Sequence, residues 1–130
     1  MVGTSGVILL VDDEPTIRAI LRQGFESAGY KVLEAVDGVD GFASFVRHRS
    51  SITAVLLDLT MPRMGGDEVF EEIHKLAPEV PVVLMSGYSE EEATAALSGR
   101  GLAGFLSKPC SIKEALAVMD HVLASVPPRS

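Results

Sequence analysis

The sequence predicts an α/β protein, a doubly wound sheet of five parallel strands with helices on both faces. Two observations carry that expectation. Val7-Ile8-Leu9-Leu10-Val11, Ala54-Val55-Leu56-Leu57 and Val82-Val83-Leu84-Met85 are unbroken apolar runs rather than alternating ones. Such runs suit strands covered on both faces, as in a parallel sheet. The stretches between them carry apolar residues at helical spacing, so strand and helix alternate along the chain and right-handed crossovers are expected.

Taken in order, Val7–Val11 is the first strand, stopped by Asp12 and Asp13. Pro15 suits the first position of a helix, and Ile17, Ile20, Leu21, Phe25 and Ala28 follow at helical spacing up to a stop at Gly29. Lys31 to Val36 is a weaker second strand. Asp37 can cap a second helix carrying Phe42, Phe45 and Val46. After the third strand, a third helix runs from near Asp67 through Phe70, Ile73 and Leu76 and is ended by Pro78. Ser89 with Glu92 reads as a capping box for a fourth helix beyond the fourth strand. Ala103 to Leu106 is a short fifth strand. Ser111 with Glu114 repeats the capping box for a fifth helix, with Ile112, Leu116, Met119 and Leu123 on one stripe.

Composition narrows the function. The 130 residues read as one domain with a core over about 7–125 and frayed ends. Apolar residues make up 47% and charged residues 22%, an ordinary globular balance. The formal net charge of −7 disfavours direct nucleic-acid binding, which needs a basic footprint, and is compatible with divalent cations. The lone Cys110 excludes an internal disulfide and fits a reducing compartment. No apolar run approaches the roughly 20 residues of a membrane span, and the first six residues lack the basic charge of a secretory leader. A cytoplasmic location is expected.

The chemistry gathers at the strand ends. Asp12 and Asp13 end the first strand, Asp58 the third, Ser86 the fourth, and Ser107 and Lys108 the fifth. In an open parallel sheet, ligands bind outside the carboxyl ends of the strands. Any one of these residues alone is an ordinary polar strand end; acid, acid, acid, hydroxyl and lysine together point to a site. Two carboxylates about 5 Å apart repel by on the order of 3 kcal/mol at an effective dielectric of 20. Three recruit a cation or raise one another's pKa. An all-oxygen donor set suits Mg²⁺, and Cys110 has no His or Cys partner at ligand spacing for a softer metal. A hard cation beside a carboxylate, a hydroxyl and a lysine suggests phosphoryl transfer to the carboxylate.

At these residues the chain resembles the receiver domain of two-component response regulators. The matching segments are Val11-Asp12-Asp13-Glu14-Pro15, Leu57 through Gly66, Met85-Ser86-Gly87 and Ser107-Lys108-Pro109, in the family's order and spacing. The resemblance implies a flavodoxin-like sheet of strand order 2-1-3-4-5. It implies that Asp58 is the phosphoacceptor, that Asp12, Asp13, Asp58 and the backbone carbonyl of Thr60 hold Mg²⁺ (with Mn²⁺ as a substitute), and that Lys108 pairs with a phosphoryl oxygen. Ser86 becomes the switch hydroxyl and Phe105 the switch aromatic, without the hydroxyl of the commoner Tyr. The Lys108-Pro109 bond is expected to be cis.

The implied partners are a histidine kinase or a histidine phosphotransfer domain, and the implied response falls on the fourth helix, fifth strand and fifth helix. The segment Met85 to Ser89 resembles receivers of hybrid histidine kinases. Such a domain is not an enzyme toward other molecules, though it promotes its own phosphorylation and dephosphorylation. Two rivals stand beside it. A phosphatase using an aspartyl-phosphate needs a second Asp two residues after the nucleophile, where this chain has Thr60. A pseudo-receiver keeps the fold without phosphorylation, and the intact acidic pair, Asp58, Ser86 and Lys108 argue against it. His48, His74 and His121 have no metal-ligand spacing and read as surface or boundary residues.

Overall fold

A computed structural model describes residues 6–59, 61, 64–87 and 101–124. The elements are β1 (Val7–Val11), α1 (Pro15–Ser27), β2 (Lys31–Ala35), α2 (Gly38–His48), β3 (Ala54–Asp58), α3 (Gly66–Leu76), β4 (Val82–Ser86), β5 (Gly104–Ser107) and α4 (Ile112–Ala124). The helix expected at Ser89–Glu92 lies outside the described residues, so α4 is the fifth helix of the sequence reading. The five strands form one parallel sheet in the order β2-β1-β3-β4-β5. The chain thus runs outward from β1 to one edge, then returns past β1 to the other, and the carboxyl ends of β1 and β3 lie side by side.

Alternation along each strand divides the core in two. Leu9, Val11, Val55, Leu57, Val82 and Leu84 face α2 and α3, where Phe45, Val69, Phe70 and Ile73 close over them. Ile8, Leu10, Ala54, Leu56, Val83 and Met85 face α1 and α4, against Leu21, Phe25, Ala115, Met119 and Val122. Both faces of the three central strands are buried, which is why β1, β3 and β4 read as continuous apolar runs.

The expected caps form. The Asp37 side chain accepts from the Asp40 N–H at 2.8 Å at the start of α2. At α4, Ser111 Oγ accepts from the Glu114 N–H at 3.1 Å while Glu114 Oε1 accepts from the Ser111 N–H at 2.9 Å, a reciprocal capping box.

The helix faces follow the spacing at Leu21, Phe25, Phe45, Phe70, Ile73 and Met119, which are buried, and depart from it at their edges. Ile20, Ala28, Val46 and Leu76 are exposed, whereas Val69 is buried. In α4 the buried line is Ala115, Met119 and Val122, with Leu116 and Leu123 only half-buried. Each helix turns about 100° per residue, so the sheet covers a narrower arc than the apolar stripe occupies. No helix of the described residues is long and apolar enough to cross a membrane.

Candidate functional site

The site is built by strand ends. Val11 is the last residue of β1, and the chain leaves the sheet through Asp12, whose N–H donates to the Ala35 carbonyl of β2 at 3.2 Å. Asp12 is wholly buried. Its Oδ1 accepts from the Glu14 N–H at 2.8 Å, and its carbonyl accepts from Arg18 Nη1 at 2.6 Å. The carboxylate is thereby held at the start of α1 with its second oxygen directed elsewhere. Asp58 closes β3 and is 3% exposed; Ser86 closes β4 and is 1% exposed. Asp13 is exposed at the rim.

Carboxylate oxygens of Asp12, Asp13 and Asp58 all lie within 4.8 Å of one another. These are the three carboxylates that the sequence placed together. Among the described residues no other such group of acid, His or Cys side chains occurs, and His48, His74 and His121 belong to none. His74 instead stacks on Phe70, with ring centroids 5.4 Å apart.

Lys108 reaches this cluster from the end of β5. Its Nζ lies 3.1 Å from Asp58 Oδ2, 3.1 Å from Asp12 Oδ2 and 3.3 Å from Glu14 Oε1. Burial alone would lower the pKa of this ammonium. The hydrogen bond to Asp58 and the charges of Asp12 and Asp58 outweigh it, so the pKa is raised above the ordinary lysine value and the cation is retained. The lysine N–H donates to the Ser86 carbonyl at 2.7 Å, tying its backbone to β4. The Lys108-Pro109 peptide is cis.

Asp12 Oδ2 tests whether a cation fits. It is buried and its approach to Lys108 is an ion pair without hydrogen-bond alignment, so the oxygen has no hydrogen-bond donor. The Lys108 ammonium at 3.1 Å offsets part of that burial, and three carboxylates against one ammonium leave a net negative charge that a further cation would offset. The donor set is all carboxylate oxygen, which suits a hard divalent ion. The Thr60 carbonyl expected as a further ligand lies outside the described residues.

The loop after β3 is shaped by a close approach. A Cβ on Gly66 would lie 2.4 Å from the Asp58 carbonyl oxygen, and the Gly66 N–H donates to the Leu59 carbonyl at 2.8 Å. Glycine thus lets α3 begin directly beneath the acidic strand end.

Two features were not read from the sequence. Glu14 is a third carboxylate on Lys108, across 94 residues of chain. An apolar cleft of about 200 Å³ opens beside Lys108, bounded by Ile17, Ile20 and Leu21 of α1 and by Met85, Pro109 and Cys110. Cys110 is half-buried there, 4.0 Å from Met85 Sδ. Burial first, then the charge of Glu114, pushes its thiol pKa up, so it is no activated nucleophile. Phe105, half-buried, packs on the α2–α3 side of the sheet, paired across the ladder with Leu84.

A receiver-type acidic pocket on a 2-1-3-4-5 sheet defines the class of protein. A family model described as the response regulator receiver domain matches residues 8–120, and the chain belongs to that family. Among relatives, it is 34% identical over 122 residues to the transcriptional regulatory protein GlrR of Escherichia coli, covering 92% of this chain and 27% of that protein. It is 31% identical over 119 residues to the sensor kinase CckA of Brucella abortus, covering 92% of this chain and 13% of that protein. The chain therefore spans little more than a quarter of one of these relatives and about an eighth of the other. Among solved structures, a chain of the CheX-CheY-BeF3-Mg complex of Borrelia burgdorferi superposes with a TM-score of 0.86 at 27% identity, covering 92% of this chain and 90% of that one.

Proposed function

We propose that this receiver domain takes a phosphoryl group onto Asp58 from a phosphohistidine of a histidine kinase or histidine phosphotransfer domain. The observation that carries the reading is the convergence of Asp12, Asp13 and Asp58 within 4.8 Å, with Lys108 hydrogen-bonded to Asp58. The similar Borrelia burgdorferi structure is of a complex with beryllofluoride and Mg²⁺, which supports a phosphoryl and metal site in this chain.

In this reading a carboxylate oxygen of Asp58 attacks phosphorus in line. The P–N bond of the donor breaks, and its electron pair stays on the imidazole, which takes up a proton. Asp12, Asp13 and Asp58 would hold Mg²⁺, with Mn²⁺ as a substitute, and the metal supplies positive charge against the phosphoryl oxygens. Lys108 keeps its ammonium on Asp58 and would follow the charge onto a phosphoryl oxygen. Ser86, buried at the neighbouring strand end, would donate its hydroxyl to another.

The cleft beside Lys108 and the exposed Ile20, 55% accessible, give a helix of the phosphodonor an apolar footing next to the acceptor. The domain is not an enzyme toward other substrates, although it promotes its own phosphorylation and dephosphorylation. Both the net charge and the acidic site disfavour direct contact with nucleic acid.

Incubation with acetyl phosphate and Mg²⁺, read by intact mass, tests the proposal. One added phosphoryl group on the wild-type chain and none on Asp58→Asn is the expected result. Equal labelling of the two overturns the assignment, and steady release of inorganic phosphate from phosphomonoesters indicates a phosphatase instead.

A further inference from the structure

The outer side of α2 carries a row of apolar residues turned to solvent. Val39, Ala43 and Val46 follow at i, i+4 and i+7, on one line of the helix, and all three are exposed. Val36 extends the row beyond the helix start, because its N–H donates to Asp40 Oδ2 at 3.0 Å and is held beside the first turn. Val36, Val39 and Val46 are 49%, 44% and 52% accessible, and they are three of the five large hydrophobic residues exposed among the described residues. Exposed apolar residues scattered singly need no explanation, whereas a contiguous row marks an interaction surface.

Charge identifies the occupant. Asp40 lies in the first turn of α2 and Arg47 in the last. A helix face that is acidic at one end and basic at the other complements itself after a half-turn about a perpendicular axis, as an isologous contact requires. With Ala43 on that axis, Val39 of one copy meets Val46 of the other, and Asp40 of one meets Arg47 of the other. The small side chain of Ala43 at the crossing allows the helix axes the close packing of about 8–10 Å.

We propose that the outer face of α2 is the contact between two copies of this chain, an antiparallel helix pair centred on Ala43. The inference is independent of phosphorylation at Asp58. An 11-residue helix is only about 16 Å long, so the contact is small and the dimer belongs to the weak, reversible class.

Sedimentation of the chain from about 10 μM to about 1 mM tests it, a range chosen for a weak complex. The wild type is expected to shift from monomer to dimer. Val46→Asp and Arg47→Glu, both on the exposed face, should each weaken association by about ten-fold or more while thermal melts stay unchanged. Ala43→Cys in a Cys110→Ser background should form a disulfide-linked dimer under mild oxidation, and Ala19→Cys, exposed on α1, should not. A monomer across the whole range overturns the proposal. So does a dimer that is indifferent to both substitutions, or one that cross-links through Ala19→Cys as readily as through Ala43→Cys.

Discussion

Lys108 is held by three carboxylates, two of them buried, and its side chain is 16% exposed. Removing such a partner leaves Asp12 and Asp58 in the interior with less compensation than before. Lys108→Met should therefore lower unfolding free energy by about 3 kcal/mol in urea titrations, and added Mg²⁺ should restore part of the loss. A variant as stable as the wild type would show that water, not the lysine, compensates the acids. Tyr30 makes a different contact: its hydroxyl donates to Asp120 of α4, and its ring meets Phe25 edge-on at 5.9 Å. Burial, followed by that bond to Asp120, raises the phenol pKa above its ordinary value of 10.0. A raised pKa favours the protonated form in the folded state. Its stabilisation is complete below about pH 10 and is lost as pH rises above that value. Tyr30→Phe should cost about 1 kcal/mol at pH 7 and should flatten the fall in melting temperature above about pH 10. At this scale the sequence exposed the acids and the lysine, because strand ends announce themselves by the polar residue that stops an apolar run. It did not expose Glu14 or Asp120, whose partners lie 94 and 90 residues away with no local pattern to link them.

Among the elements, α2 packs closely against the loop that follows Asp58. A Cβ on Gly38 would lie 1.9 Å from the Met64 carbonyl oxygen, a backbone atom that cannot swing aside. Gly38→Ala should thus destabilise the fold by about 2–3 kcal/mol through overpacking, whereas Gly87→Ala, with open space at its Cβ, should not on that account. A smaller loss for Gly38→Ala than for Gly87→Ala, by thermal unfolding, would contradict the close approach. Helix starts were legible because capping is local: Asp37 and Ser111 reach N–H groups only three residues on. The centre of each buried face was legible, as Leu21, Phe25, Phe45, Phe70, Ile73 and Met119 show, but its edges were not. Val46 neighbours Phe45, and Leu76 follows Ile73 at good spacing, yet both are exposed because the sheet decides which arc is covered. For α2 that error is informative, since the apolar residues left outside are the row centred on Ala43.

For the whole molecule, a phosphoryl group at the end of β3 would act on the far edge of the sheet through β4. The ladder supplies a route: Asp58 pairs with Met85 in β4, Ser86 pairs with Ser107 in β5, and the Ser86 carbonyl accepts the Lys108 N–H. A phosphoryl group on Asp58 adds acceptor oxygens beside Ser86, a short hydroxyl on a buried strand end. Movement of Ser86 toward them would change the space along β4 and β5, where Phe105 is only half-buried on the edge strand. Phe105 has no hydroxyl to satisfy, so turning further inward gains apolar burial with no polar group to compensate, at about 25 cal/mol per Å². The two-state element would be Ser86 with Phe105, biased by the charge at Asp58. Ser86→Ala should still accept phosphoryl, because Asp58, Lys108 and the acidic pair are intact. Its amide shifts over β5, Gly104–Ser107, on adding beryllofluoride and Mg²⁺ should nevertheless be much smaller than in the wild type. Phe105→Ala should lose the β5 response as well, while its labelling by acetyl phosphate persists. Equal β5 shifts in wild type and Ser86→Ala would place the coupling outside this pair.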